Sequence, residues 1–144
     1  MEPTRKTQAD LLAAQKELIQ RETILLHPES GTTRQAFEAM IAEEFWETGA
    51  SGRRYSREFV IDTVLKRSSK PFDDQFEVED FYCQEISPEH YLLTYTLHQE
   101  KRVTRRMTLW RRLQDRWVAV YHQGTVVEEP EAKEADNTIR PRRS

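Results

Sequence analysis

The chain has 144 residues, with 22 Lys+Arg against 25 Asp+Glu, 37% hydrophobic residues and a single cysteine. That length suits one domain with one core, and a net charge of −3 with a pI near 5.9 exerts no global pull toward nucleic acid or an anionic membrane. A lone Cys83 excludes an internal disulfide framework and a cysteine-based zinc cluster, and no apolar run approaches the roughly 20 residues that span a bilayer. The polar start, Met1-Glu2-Pro3-Thr4-Arg5-Lys6, lacks the apolar segment of a signal peptide, so a cytoplasmic location is expected.

Residues 1–7 read as a flexible N-terminus, 8–127 as the folded domain and 128–144 as a disordered charged tail. The first helix is expected over 8–27. Leu11, Leu12, Leu18, Ile19, Leu25 and Leu26 form pairs seven apart, and Gln15 and Glu22 fall in the same stripe. Pro28 and Gly31 stop it. The spacing of Ala36, Phe37, Met40, Ile41 and Phe45 predicts a second helix from Thr33 to Trp46. Gly49-Ala50-Ser51-Gly52 then breaks the pattern, where positive φ or a close backbone approach calls for glycine. Ser56 is placed to N-cap a third helix through Arg67 that buries Phe59, Val60, Val64 and Leu65.

From there the period changes from 3.6 to 2. Strands are expected near 76–87, 90–99, 103–113 and 116–126, joined by turns at Ser87-Pro88, Gln99-Glu100-Lys101 and Gln114-Asp115. The tail holds one large apolar residue, Ile139, too little to offset the entropy of ordering it. Three helices followed by antiparallel strands predict an α+β domain, with three N-terminal helices packed on a curved sheet.

Simple hairpins sort the strand faces. They pair Tyr95 with Arg106, Leu93 with Thr108, Trp110 with Ala119 and Thr108 with Tyr121. One face then carries the aromatic residues with Arg106 and Gln123, and the other carries Leu92, Met107, Leu109, Val118, Val120 and His122; a bulge would exchange the two locally. Both faces are apolar, so each needs a cover: helices on one, and a second copy of the chain on the other.

The order of elements, with Phe45-Trp46-Glu47-Thr48-Gly49-Ala50-Ser51-Gly52-Arg53, Tyr55-Ser56-Arg57-Glu58, Leu93-Thr94-Tyr95, Leu109-Trp110-Arg111-Arg112 and Trp117 through His122-Gln123-Gly124-Thr125, resembles the nuclear transport factor 2-like superfamily. That superfamily includes the SnoaL-like cyclases and the ketosteroid isomerases; the nearer likeness is to its bacterial domain-of-unknown-function 4440 type. It extends over about residues 10–126. The resemblance implies a cone-shaped fold with a pocket between helices and sheet, and commonly a homodimer through the sheet. It implies no single activity, because this fold hosts enzymes, binding proteins and assembly modules. The isomerases use an Asp base with a Tyr and a protonated Asp as oxyanion donors. The aromatic face here offers Tyr95 and Tyr121 but no carboxylate of its own, and Glu47 and Asp80, the nearest, match no motif position.

The four histidines, His27, His90, His98 and His122, lack metal-ligand spacing, so neither a metal nor a cofactor is expected. His122 reads either as a hydrogen-bonded core or interface histidine or as an acid-base group. Ser51 lacks the spacing of a nucleophile elbow and reads as a turn residue, and Cys83 has no basic neighbour to activate it. The basic run Lys101, Arg102, Arg105, Arg106, Arg111, Arg112 and Arg116 alternates across both faces, with Glu77, Glu79 and Glu85 as potential partners, and reads as a solvated edge. Arg106 stands apart: on the aromatic face it needs either Glu47 or Glu44 as a partner or an anionic ligand. The candidate ligand site is therefore Tyr95, Trp110 and Tyr121 as walls, with Tyr55, Arg106, Gln123 and His122 as polar groups. The expected function is a homodimer that binds a small, partly apolar organic ligand, anionic if Arg106 has no carboxylate partner of its own. The alternative is a non-enzymatic interaction or assembly module whose pocket is vestigial, and an open cavity with convergent polar groups favours the first.

Overall fold

The computed structural model describes residues 1–69 and 75–128. The tail assigned above lies outside these residues, apart from Glu128. A short 3₁₀ turn, Ala9–Leu11, leads into α1 (Leu12–Leu26), followed by α2 (Arg34–Met40), β1 (Ile41–Thr48), β2 (Arg54–Ser56), α3 (Arg57–Ser68), β3 (Phe76–Ser87), β4 (His90–Gln99), β5 (Val103–Leu113) and β6 (Arg116–Val126). The architecture is α+β, with one six-stranded sheet in the order β2-β1-β6-β5-β4-β3. β1 runs parallel to β6, and every other neighbouring pair is antiparallel.

The last four strands lie where alternation places them, and Thr33 and Ser56 cap α2 and α3 by accepting from Ala36 N–H and Phe59 N–H. The second helix does not run to Trp46. It stops at Met40, and residues 41–48 form a strand instead, so the three helices do not precede the whole sheet. The apolar spacing of Met40, Ile41 and Phe45 fits a helix. Pairing with β6 overrides it, because the chain there adds a strand to an otherwise open sheet edge. Arg57 secures this helix-to-strand joint. Its guanidinium donates to the carbonyls of Ala42 at 3.0 Å, Ile41 at 3.1 Å and Glu38 at 3.3 Å.

The β1–β2 turn uses both glycines of Gly49-Ala50-Ser51-Gly52. Gly52 sits at φ +92°, and a Cβ on Gly49 would lie 2.9 Å from the Tyr55 ring. Ser51 accepts from Arg53 N–H, as a turn serine does. On α3 the buried apolar residues are Ile61 and Val64, whereas Phe59, expected in the core, is exposed. Thr7 bonds to Gln15 and accepts from Cys83 N–H at 3.0 Å, which holds the start of the chain against β3.

Two of the sheet's four register shifts among the described residues decide which aromatic side chains face inward. In β3 Asp80 is the extra residue, at φ 63°, and Phe81 turns inward to stack on Tyr95. In β6 Ala119 pairs with Trp110 but Tyr121 pairs with Leu109, so Val120 is unmatched. Beyond that point every side chain changes face. The pairing of Thr108 is therefore with His122, not Tyr121. The inner face carries Leu93, Tyr95, Thr108, Trp110, Trp117, Ala119, His122 and Gly124, and it packs under the helices with Leu18, Phe37, Phe45 and Ile61. Among the described residues, no helix is long and apolar enough to cross a membrane.

Candidate functional site

The buried stripe of α1 is Ala14, Leu18 and Glu22. Two of these are apolar core, but the third is a carboxylate only 3% exposed. Its surroundings explain how the fold tolerates it. Glu22 Oε2 accepts from Tyr95 Oη at 2.7 Å and Thr108 Oγ1 at 3.0 Å, and Oε1 accepts from Trp110 Nε1 at 3.1 Å. Burial pushes its pKa up, opposed by these three hydrogen bonds and by the Arg106 charge, and the net direction is upward. Thr108 Oγ1 is also 2.8 Å from His122 Nδ1. Burial, reinforced by the Arg106 charge, holds His122 down to about 3, so its imidazole is neutral at physiological pH.

Above this network lies a cavity of about 450 Å³. Glu22, Thr108 and His122 form part of its floor, and Leu25, Phe45, Val60 and Val64 give it an apolar side. Glu47, Arg67, Arg102 and Arg106 also line it. Glu47 on β1 is the register neighbour of His122 on β6. Its carboxyl is pushed up by burial, with Arg106 and then Arg67 pulling the other way. Arg106 is half-buried, and its Nε donates to Thr104 Oγ1 at 3.1 Å. It makes no ion pair within 4.0 Å among the described residues. At the mouth, Tyr55 stacks on Phe59 with ring centroids 4.8 Å apart.

The seven residues expected at the site divide into three groups. Tyr55, Arg106 and His122 line the cavity. Tyr95 and Trp110 are on the inner face but fully buried behind it, where they act as donors to Glu22. Tyr121 and Gln123 are on the outer face, moved there by the Val120 bulge. Tyr121 Oη bonds to Thr48 Oγ1 and donates to Gln123 Oε1, both at 2.7 Å, beside the exposed Trp46 ring.

Neither partner considered for Arg106 is ion-paired to it. Glu44 binds Arg111 at 2.7 Å, and Glu47 acts on Arg106 only through its charge. Asp80 accepts from Thr96 at 3.2 Å and lies 4.0 Å from Arg105, away from the cavity. Arg112 lies over the Trp117 ring, 4.4 Å from its centroid, and Glu79 pairs with His98. The basic run is thus a set of separate local contacts, although no described ion pair joins it to Glu77, Glu79 or Glu85. Cys83 is buried, with its thiol pushed up to about 11. Among the described residues no group of three His, Cys, Asp or Glu side chains is arranged to hold a metal ion. The group that sequence reasoning missed is Glu22. Its signal was present: a carboxylate inside the apolar stripe of the first helix.

No protein-family model and no curated protein matches the chain. Solved structures do. An uncharacterised cystatin-like-fold protein from Caulobacter vibrioides superposes with a TM-score of 0.66 at 18% identity, covering 89% of this chain and 96% of its own. A nuclear transport factor 2-like protein of unknown function from Pseudomonas aeruginosa gives 0.65 at 13% identity, over 80% of this chain and 99% of its own. The chain has the nuclear transport factor 2-like fold. A further protein with this fold, from Rhodospirillum rubrum and of unknown function in nutrient uptake, gives a TM-score of 0.58 at 13% identity, over 81% of this chain and 98% of its own.

The buried carboxyl makes stability depend on pH. Glu22 keeps its proton to a higher pH in the folded chain than in the unfolded one, where it titrates near 4.5. Its contribution is therefore fully present below pH 4.5 and is lost as the pH rises through the folded value. His122 works in the opposite sense: its contribution is present above 6.5 and is lost as the pH falls toward about 3. Denaturant titrations at several pH values should show wild-type stability falling relative to Glu22→Gln as the pH rises above 4.5. Parallel curves would mean that the carboxyl is not perturbed.

Proposed function

We propose that the protein binds a small organic anion with an apolar body in the cavity between helices and sheet. The carrying observation is Arg106: a half-buried guanidinium facing an open cavity without an ion-pair partner among the described residues. Arg67 and Arg102 add positive charge to the same cavity, and its apolar lining residues Leu25, Phe45, Val60 and Val64 suit an aliphatic or aromatic body. Tyr55 at the mouth and His122 on the floor are further polar contacts, whereas Tyr95 and Trp110 support the floor from behind. An open cavity with convergent polar groups favours ligand binding over a vestigial pocket. The assembly-module alternative draws on one structural neighbour, a putative Ca/calmodulin-dependent kinase II association domain from Exiguobacterium sibiricum, with a TM-score of 0.59 at 18% identity.

The outer face supports a homodimer as part of the same proposal. Leu92, Met107, Leu109 and Val120 are partly accessible there, and the exposed Trp46 and half-buried Tyr121 extend the patch. Val118, counted with them on sequence grounds, is already buried within its own chain and contributes nothing to such an interface. The 4440-type assignment, resting on the motifs above, and a cytoplasmic location belong to the proposal too. A neighbour from the DUF3225 family of Pectobacterium atrosepticum offers a different branch of the fold, with a TM-score of 0.62 at 17% identity.

Two measurements check these points. In calorimetric titrations with a panel of aromatic and branched aliphatic carboxylates, Arg106→Lys should weaken the best ligand by about 1–3 kcal/mol, because it keeps the charge and loses the planar fork. Arg106→Met should abolish binding with little loss of melting temperature; a large stability loss with no carboxylate bound by the wild type would make Arg106 structural and favour the assembly module. Light scattering at micromolar concentration should give a dimer mass that Leu109→Glu reduces to that of a monomer, whereas a wild-type monomer would end the dimer argument.

A further inference from the structure

Thr108 has one hydroxyl proton and two neighbours that compete for it, Glu22 Oε2 at 3.0 Å and His122 Nδ1 at 2.8 Å. Two proton arrangements with a neutral imidazole satisfy both contacts. In one, Thr108 donates to an ionised Glu22 and accepts from Nδ1–H of His122, which leaves Nε2 bare. In the other, a protonated Glu22 donates to Thr108, Thr108 donates to a bare Nδ1, and Nε2 carries the ring proton. The imidazole is neutral in both. The arrangements differ by one proton, which enters or leaves at Nε2, the ring nitrogen that Thr108 leaves to the cavity.

We infer that Glu22, Thr108 and His122 form a proton relay that opens at His122 Nε2 into the cavity and accepts a proton from an O–H or C–H group adjacent to the anionic end of a ligand held on Arg106. The ligand half of this inference rests on the function proposed above, whereas the relay does not. As the O–H or C–H bond breaks, its electron pair stays on the ligand, beside the Arg106 guanidinium. The proton bonds to Nε2, the Nδ1 proton passes to Thr108 Oγ1, and the Thr108 proton passes to Glu22 Oε2. The reverse sequence returns the proton and resets the site, with no oxidant or second reactant.

This arrangement supplies what a lone histidine here would lack. Direct protonation would place an imidazolium in a buried site beside Arg106, and that ion is strongly disfavoured. The relay instead delivers the charge change to Glu22, whose buried carboxyl holds a proton more readily than usual. The other charged and titratable groups around it act in both directions. Arg106 on β5 disfavours proton uptake, Glu47 on β1 beside His122 favours it, Arg67 on α3 offsets Glu47, and Tyr95 on β4 fixes the Glu22 carboxyl. Only His122 would touch the ligand proton; Glu22 and Thr108 are positioning residues that act through it.

The test reads the ring nitrogens directly. In ¹⁵N-labelled protein without ligand, the His122 resonances should show protonated Nδ1 and bare Nε2 at high pH. On acidification the two should exchange roles in one step that coincides with the Glu22 carboxyl ¹³C titration. Thr108→Ser should keep that step, and Thr108→Val and Glu22→Gln should abolish it. An Nε2–H ring at every pH, joint protonation of both nitrogens, or a step that survives Thr108→Val would overturn the relay. Mandelate and phenylacetate, alike in charge and ring, then test the ligand class. Above the step, mandelate should bind about tenfold more tightly, the worth of one hydrogen bond from its hydroxyl to bare Nε2. Equal affinities would overturn the ligand class alone, and binding of neither would overturn the anion site, with the relay judged by the nitrogen spectra in either case.

Discussion

A buried carboxylate must find hydrogen-bond donors or forgo its charge, and Glu22 organises this molecule by that requirement. Its donors come from two neighbouring strands: Tyr95 from β4, and Thr108 and Trp110 from β5. All three must face the same way and reach the same carboxyl, which constrains where α1 crosses the sheet. The register supplies the first condition, pairing Tyr95 with Arg106, Leu93 with Thr108 and Tyr91 with Trp110. Leu18, one turn earlier on α1, is fully buried and anchors the helix in the dry part of the core. Glu22 is where that core ends and the cavity floor begins.

The Val120 bulge decides what else reaches the floor. Without it, strict alternation along β6 would send His122 outward and bring Tyr121 and Gln123 in. The cavity would then have an aromatic, amide-lined floor and no imidazole. With it, His122 meets Thr108, and Gly124 lies inside next to Ala50 of the β1–β2 turn. One unmatched residue thus exchanges an aromatic wall for an imidazole. It also moves Tyr121 beside Trp46 on the outer face, where the two enlarge an accessible apolar patch.

Much of the fold was legible because its signals are local. Alternation located the four long strands, Ser56 announced its cap, and the glycines around Ser51 marked a turn that needs them. The strand at 41–48 was not legible, since Ile41 and Phe45 fall at helical spacing from Phe37 and only the open edge of β6 makes the segment extended. The site was legible in part. Arg106 was found because hairpin pairing is arithmetic from a turn, and that arithmetic holds until a bulge. It fails for Tyr121, Gln123 and His122 because nothing in Ala119-Val120-Tyr121 distinguishes a bulged strand from a regular one. Glu22 lay in view as a charged residue in an apolar stripe, but its meaning depends on donors about seventy to ninety residues away in sequence.

The central claim is that Arg106 receives an anion in this cavity while the apolar residues of its lining receive the rest of the ligand. A crystal structure grown with excess phenylacetate tests it most directly. Both carboxylate oxygens should lie on the Arg106 guanidinium, with the phenyl ring against Leu25, Phe45 and Val64. A cavity that holds only water, or a phenylacetate bound elsewhere with Arg106 turned onto Glu47, would contradict it.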